Sequence, residues 1–409
     1  MEKLPEAKDQ DKFESDEIRS QTIEEEFAKL KLNYEQKSLE FRSEIEKLNQ
    51  QNEKNKFPLS SKQIRSFTQK ALEKISETFS SLAKELKLRA LMINSAKPFE
   101  NKILNVDYKK FKSVKKTQTI LNQITSVVEY IESENLLILG GPGLVLALDA
   151  LTLEKIAEIS FIYYQLPVLF QYEPVTEVLF ICYMNMLAVE AHKYDKVHKK
   201  FTKSYELINH NAPGVASLKI INSGFLLTGG YDRKLSIWNV VEKQLVKDLT
   251  FNEALLCFEQ VSSNIMLIGG DKSIIIFNLA ENVVMDSYKV HDNAIWKLIY
   301  HSMHQLIISG ACDNTVKVSS YGDDGIKILH NFLQFGWSYG ICLLDTEHIL
   351  TCSKDRYLRV YNVLNGKKVQ ETKEDLQHDG DWITSDPKLK RIFLSETNGL
   401  IHIFEEKNP

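Results

Sequence analysis

Three residue types that could do chemistry together recur in this chain at a fixed interval. His210 is followed 18 residues later by Thr228 and then by Asp232, and His291 is followed 18 residues later by Ser309 and then by Asp313. Imidazole, hydroxyl and carboxylate are the components of a nucleophilic triad, in which the carboxylate orients the imidazole and the imidazole takes the hydroxyl proton. A triad is defined by geometry, however, and occurs once. A set that returns with each repeat of the sequence is a structural device, in which a fully satisfied polar chain rigidifies its surroundings. No other chemistry competes with that reading. The glycine-rich run Gly140–Val145 lacks the Lys-Ser/Thr of a phosphate loop, and neither G-x-S-x-G nor H-E-x-x-H occurs. The acidic pairs Asp323-Asp324 and Glu405-Glu406 sit in turns or at the chain end and read as solvated. The sequence therefore assigns no catalytic residue, metal site or cofactor.

The elements that must position these residues are short strands. Leu226–Asn239 reads as an apolar strand ending in Gly229-Gly230, a polar turn at Asp232, and a second strand. Alternation puts Leu235 and Ile237 on one side and Ser236 and Trp238 on the other. The phrase returns at residues 265–278, 306–320, 349–362 and 391–405. Aligned on Trp238, the recurring position falls at Phe277, Ser319, Tyr361 and Phe404, in steps of 39, 42, 42 and 43 residues. Residues 135–152 give a further copy and residues 176–194 a degenerate one. A period near 40–45 residues with four strands per unit marks a propeller blade. Seven units result, starting near residues 124, 166, 210, 251, 291, 334 and 376.

With these residues in view, the chain resembles the WD-repeat (WD40) β-propeller family over roughly residues 111–405. His210, Thr228, Asp232 and Trp238 match the family's hydrogen-bonded set in full. His291, Ser309 and Asp313 match three positions, with Ser319 in place of the Trp. The sixth unit keeps Thr351, Asp355 and Tyr361, but Leu333 stands where the histidine is expected. The resemblance implies that the set is structural and that a strand preceding the first unit closes the last one. The final unit ends at Phe404 with five residues left, so residues near 111–120 are expected to supply that strand. The lysines of KKFKSVKK (109–116) then discourage edge-to-edge aggregation. This takes precedence over a nucleic-acid or anionic-lipid patch for the same run.

The expected fold is all-β, a seven-bladed propeller with an N-terminal α-helical, coiled-coil extension. It divides into an acidic helical arm at 1–56, a basic amphipathic helix at 57–98, a linker and closing strand at 99–123 and the propeller at 124–409. Charge follows these boundaries: 11 basic and 15 acidic side chains in 1–56, 14 and 5 in 57–121, and 26 and 35 in 122–409. In the arm, Ile23, Phe27, Leu30, Tyr34, Phe41 and Leu48 hold a–d spacing, while Lys37 and Glu44 weaken two layers. Residues 16–50 thus read either as a dimerising or partner-binding helix or as a helix packed on its own protein. After Pro58, Ser60 and Gln63 form a capping box. A stripe from Ile64 through Phe67, Ile75, Phe79 and Leu86 to Ile93 marks a long amphipathic helix, stopped at Pro98.

Five cysteines (182, 257, 312, 342 and 352) without C-x-x-C pairing or histidines at ligand spacing indicate reduced thiols and an intracellular, cytoplasmic protein. The charged N-terminus has no signal-peptide core, and the longest apolar run, 136–148, is broken by glycine and proline and too short to span a bilayer. The functional expectation is a non-enzymatic scaffold or adaptor that binds other proteins within a larger assembly. The alternatives are a cytoskeletal or ciliary component, a ubiquitin-ligase substrate receptor and an RNA- or ribosome-associated factor. Tryptophan placement locates the binding face. Trp296, Trp337 and Trp382 lie 13, 14 and 12 residues before Ser309, Thr351 and Leu394, at the start of the first strand of three consecutive units. The resemblance puts that place at the channel mouth. The alternative is that the rings fill space between blades. Tyr231, Cys312 and Lys354 are expected to rim the site.

Overall fold

The structure, a computed structural model, describes residues 103, 104, 106, 111–118, 127–161, 166–212, 214–221, 224–322, 324–372, 380–388, 390–396 and 399–406, together with Leu32 and Glu73. Leu32 and Glu73 are helical. The remainder of the predicted arm (1–56) and amphipathic helix (57–98) lies outside the described residues.

The described strands form seven four-stranded antiparallel sheets. Six are built from consecutive strands, spanning 127–160, 167–208, 215–250, 257–289, 295–333 and 340–372. In the seventh, three strands between 380 and 406 are completed by strand Phe111–Gln118, which pairs with Leu400–Glu406. The first strand of each sheet contacts the first strands of the sheets before and after it, and the seventh contacts the first, so the sheets form a closed ring of blades. The fold is an all-β seven-bladed propeller.

Packing between blades explains a departure from the expected alternation. The second strand of blade 3, Phe225–Gly230, is buried along its whole length, and in the third strand Leu235, Ser236, Ile237 and Trp238 are all buried. No face is solvated, because each blade is covered on both sides by its neighbours. Period-two patterning requires one wet face. Such patterning emerges in outer strands such as Gln244–Thr250, where exposed and half-buried residues alternate from Val246 onward.

Two side-chain devices tie blades together. At one first-strand position, the side chain accepts the backbone N–H of the following blade. Gln171 accepts from Ile220 (3.2 Å), Glu259 from Tyr300 (3.5 Å) and Thr384 from Tyr130 (3.2 Å). Lys219, at this position in blade 3, forms an ion pair with Glu259 at 2.9 Å. Nearby, a hydroxyl or thiol donates to a carbonyl of the next blade: Cys182 to Val215, Ser217 to Leu255 and Cys257 to Ile295. Cys182 is buried and Cys257 half-buried, and desolvation pushes both thiols up to about 12.

A second regularity lies on the outer strands. In all seven blades the outer strand slips register by one residue beside the position of Trp238. The unpaired residue is Val114, Ile156, Ser204, Val246, Met285, Leu329 or Val369, in chain order. This is a β-bulge repeated around the ring.

Ahead of the closing strand, Leu104 and Val106 are buried in the apolar cluster shared by blades 6 and 7, and the Val106 N–H donates to Leu344 O at 3.2 Å. A chain beginning at residue 99 is therefore expected to melt cooperatively. A chain beginning at residue 119 loses both this anchor and the strand covering Leu400–Glu406, and should melt at a lower temperature with a broadened calorimetric transition.

Candidate interaction face

In blades 3 to 6, the turn joining the second and third strands is tied by hydrogen bonds to the loop that precedes the blade. In blade 3, Trp238 Nε1–H donates to Thr228 Oγ1 (3.0 Å), Thr228 lies 2.8 Å from His210 Nε2, and His210 Nδ1 lies 3.0 Å from Asp232 Oδ1. Asp232 also accepts the backbone N–H groups of Asn211 and Lys234. In blade 5, His291 Nε2 meets Ser309 Oγ at 2.8 Å and His291 Nδ1 meets Asp313 Oδ2 at 2.9 Å. Thr315 donates to Asp313 there at 2.7 Å. Ser319, in place of the tryptophan, is buried, and its Oγ finds no partner among the described residues. The pairing order is that of a nucleophilic triad, but Thr228 and Ser309 are each 0% exposed, so no substrate carbonyl can reach either hydroxyl.

Other blades solve the same problem with residues that the spacing did not flag. In blade 6, Leu333 is exposed and the neighbouring Gln334 is buried in its stead. Gln334 donates to Tyr361 Oη (3.2 Å) and accepts from Arg359 Nη1 (3.1 Å). Arg359 is 2% exposed and holds the turn aspartate, with Nη2 2.6 Å from Asp355 and Nε 2.9 Å from Glu371. Burial opposes ionisation of Asp355, but the Arg359 guanidinium and the Ser353 hydroxyl outweigh it and lower its pKa. In blade 2 the equivalent third-strand position is Glu190, which receives Tyr183, His192 and Lys203 at 2.8, 2.9 and 2.6 Å. Burial works against its charge, yet these three donors bring it down to about 2. In blade 7 the position is His402, paired with Glu396, both 0% exposed.

The first strands of all seven blades line a central channel of about 1410 Å³. Trp296, Trp337, Trp382, Tyr231, Cys312 and Lys354 all line it. They meet around Tyr339, which the spacing did not single out. Ring centroids of Trp296, Trp337 and Trp382 lie 6.1, 6.2 and 6.4 Å from that of Tyr339, and Tyr231 lies 6.2 Å from Trp296. Lys354 Nζ stands 4.3 Å from the centre of the Trp337 ring, and Cys312 Sγ is 3.9 Å from Tyr339 Oη. Burial raises the Cys312 thiol pKa against the opposing hydrogen bond from Tyr339.

The three tryptophans are not structurally equivalent. Trp382 pairs with Ser395, level with Lys297 and Gly340, whereas Trp296 is the bulged residue one place earlier. Trp337 precedes strand Gly340–Leu343 altogether, so the in-register counterpart of Trp296 in blade 6 is Tyr339. Counterparts in blades 3 and 4 are Ala216 and Leu256, each one residue beyond the expected Val215 and Leu255. Bulges at the start of the first strands shift the register, and spacing along the chain cannot see them. Trp296 packs beside Ala216 and Leu256, and Trp382 against the clusters of blade 1, while Trp337 is 44% exposed. Among the described residues no group of His, Cys, Asp and Glu has metal-holding geometry.

Asp232→Ala strips His210 of its buried carboxylate and should cost about 1–3 kcal/mol, read as a lowered melting temperature. Arg359→Ala leaves Asp355 charged and enclosed and should cost more, about 3–5 kcal/mol. Acid should destabilise in two stages. His291 and His301 are held by burial below their ordinary 6.5, so the unfolded chain takes up protons first, and stability falls as pH drops below 6.5. Asp313 and Asp355 are lowered from 3.8, so the stability they contribute is present above that pH and is lost as pH falls further. Melting curves of the parent and of His291→Gln against pH test this: the variant should show a smaller first stage.

The family model described as "WD domain, G-beta repeat" matches residues 201–239 and 282–318. Each match runs from the outer strand of one blade through the third strand of the next, and takes in one of the two His–Ser/Thr–Asp sets. No curated protein matches the chain. Among solved structures, "Crystal structure of WD40 beta propeller domain of Doa1" is 17% identical, covering 73% of this chain and 97% of that chain with a TM-score of 0.60. At that identity the likeness is one of fold. The chain is a seven-bladed β-propeller that carries two segments matching the WD40 repeat.

Proposed function

We propose that this protein is a non-enzymatic adaptor that docks other proteins on the channel mouth formed by blades 3, 5, 6 and 7. WD40 propellers typically mediate protein–protein interactions. The observation that carries the reading here is the convergence of three tryptophans on Tyr339, with Tyr231 against Trp296 and Trp337 still 44% exposed. Aromatic anchors in a concave, rigid setting dominate interface energetics. The triad-like sets serve as internal struts in this reading, because their hydroxyls are sealed. Residues 16–50 supply a helical arm for self-association or for a partner helix, in an intracellular, cytoplasmic setting. No described helix is long and apolar enough to cross a membrane.

Single replacements of Trp296, Trp337 and Trp382 by alanine test the site. Trp337→Ala should weaken capture of a crosslinked, identified partner by about 2 kcal/mol or more while leaving the melting temperature nearly unchanged. Trp296→Ala and Trp382→Ala should lower both, since those rings also pack between blades. Unchanged capture with Trp337→Ala would move the binding face elsewhere. Deleting residues 1–56 should leave the propeller folded and abolish only those associations that depend on the arm.

A further inference from the structure

The channel mouth carries cations that pair with no carboxylate among the described residues. The turn aspartates point inward: Asp232 to His210, Asp313 to His291 and Thr315, and Asp355 to Arg359 and Ser353. The other acids of these loops are also engaged. Asp292 pairs with Lys289, Glu253 accepts the N–H groups of Lys272 and Ser273, and Asp271 accepts that of Ala254. Left over are Lys297 and Lys354, both lining the channel, with Arg233 and Lys272 exposed on the neighbouring turns. Among the described residues, none of these four has a carboxylate partner. Lys297 is half-buried directly after Trp296, and Lys354 lies across the Trp337 ring. These cations stand out against a region, residues 122–409, that holds 26 basic and 35 acidic side chains.

We infer that the mouth takes an acidic peptide segment, with Asp or Glu beside an aliphatic or aromatic anchor. The inference rests on the interaction-face reading above and names the chemistry of its partner. The carboxylates would meet Lys297 and Lys354 in charge-assisted hydrogen bonds, strengthened by partial exclusion of water, while the anchor fills the space beside Trp337 and Tyr339. A single-stranded nucleic acid fits less well, because base stacking needs open ring faces. Here Lys354 covers a face of Trp337, and Tyr339 is stacked on Trp382 at an interplanar angle of 12°. A bilayer surface cannot follow the concavity.

The test pans a random dodecapeptide library on the full chain, then measures fluorescence polarisation of the enriched peptides and of copies with Asp and Glu replaced by Asn and Gln. Acid-rich peptides with one apolar anchor are expected. Their affinity should fall about ten-fold or more on amidation or with Lys297→Gln or Lys354→Gln, and should weaken with added salt. Melting temperatures of the two lysine variants separate lost binding from lost fold. Enriched peptides that are neutral or basic yet still sensitive to Trp337→Ala would overturn the acidic preference and leave the interaction face standing. A uridine oligonucleotide that binds the same mouth as tightly would also overturn it. A failure to enrich any peptide would remove both readings.

Discussion

What makes seven sheets one body is the contact between successive first strands. Each sheet satisfies most of its backbone hydrogen bonds internally, so nothing in the ladders themselves joins one blade to the next. The joins are side-chain groups: Gln171, Glu259 and Thr384, at one first-strand position, accept N–H groups, while Ser217 and Cys257 on first strands and Cys182 on a second strand donate to carbonyls. Apolar packing between blades is large but non-directional. The hydrogen bonds fix the angular setting of each blade, and therefore the spacing of the loops at the channel mouth. The ring also explains why the closing strand comes from the opposite end of the chain. Pairing Phe111–Gln118 with Leu400–Glu406 ties the first and last blades together, so that opening the ring requires breaking a full strand pair.

The polar sets illustrate how one constraint admits several chemical solutions. A tight turn between two buried strands leaves backbone and carboxylate groups that must be satisfied away from water. Blades 3 and 5 use a histidine relay. Blade 6 uses a buried arginine with a glutamine, and blade 2 centres a carboxylate among three donors. The first solution is readable as a motif because its members sit at a repeated spacing. The others involve residues drawn from different strands of the blade. Gln334 stands one place from the expected histidine, and the third-strand position of Arg359 holds a different residue, Glu190 or His402, in blades 2 and 7.

Much of the architecture was legible because blades repeat and their hairpins carry apolar runs bounded by glycine and aspartate. The blade count, the strand around 111–120 and the inward role of Asp232 and Asp313 follow from spacing alone or from the family likeness it carries. The aromatic cluster was only partly legible. Trp296, Trp337 and Trp382 could be grouped by distance from the second strand, but Tyr339 could not, since a lone tyrosine has no signature. The bulge at Ile295/Lys297 and the loop before Gly340 make residues at similar spacing structurally distinct. Sites assembled across blades depend on register, and a one-residue slip leaves no trace in composition. The helical arm and amphipathic helix lie outside the described residues.

The repeated bulge on the outer strands has a consequence for how this molecule behaves in company. Among the described residues each blade ends in an outer strand that pairs on one side only, giving seven edges around the circumference. Several carry exposed apolar residues such as Met285, Leu329 and Val369. A flat edge of that kind is a template on which a second molecule could extend the sheet. The slip beside every third-strand Trp238 position breaks the run of evenly spaced donors and acceptors into two short, twisted segments, too irregular to direct the growth of a neighbouring strand. The propeller can thus tolerate greasy side chains on its perimeter at high local concentration, because the geometry that would let them nucleate a continuous intermolecular sheet is interrupted in every blade.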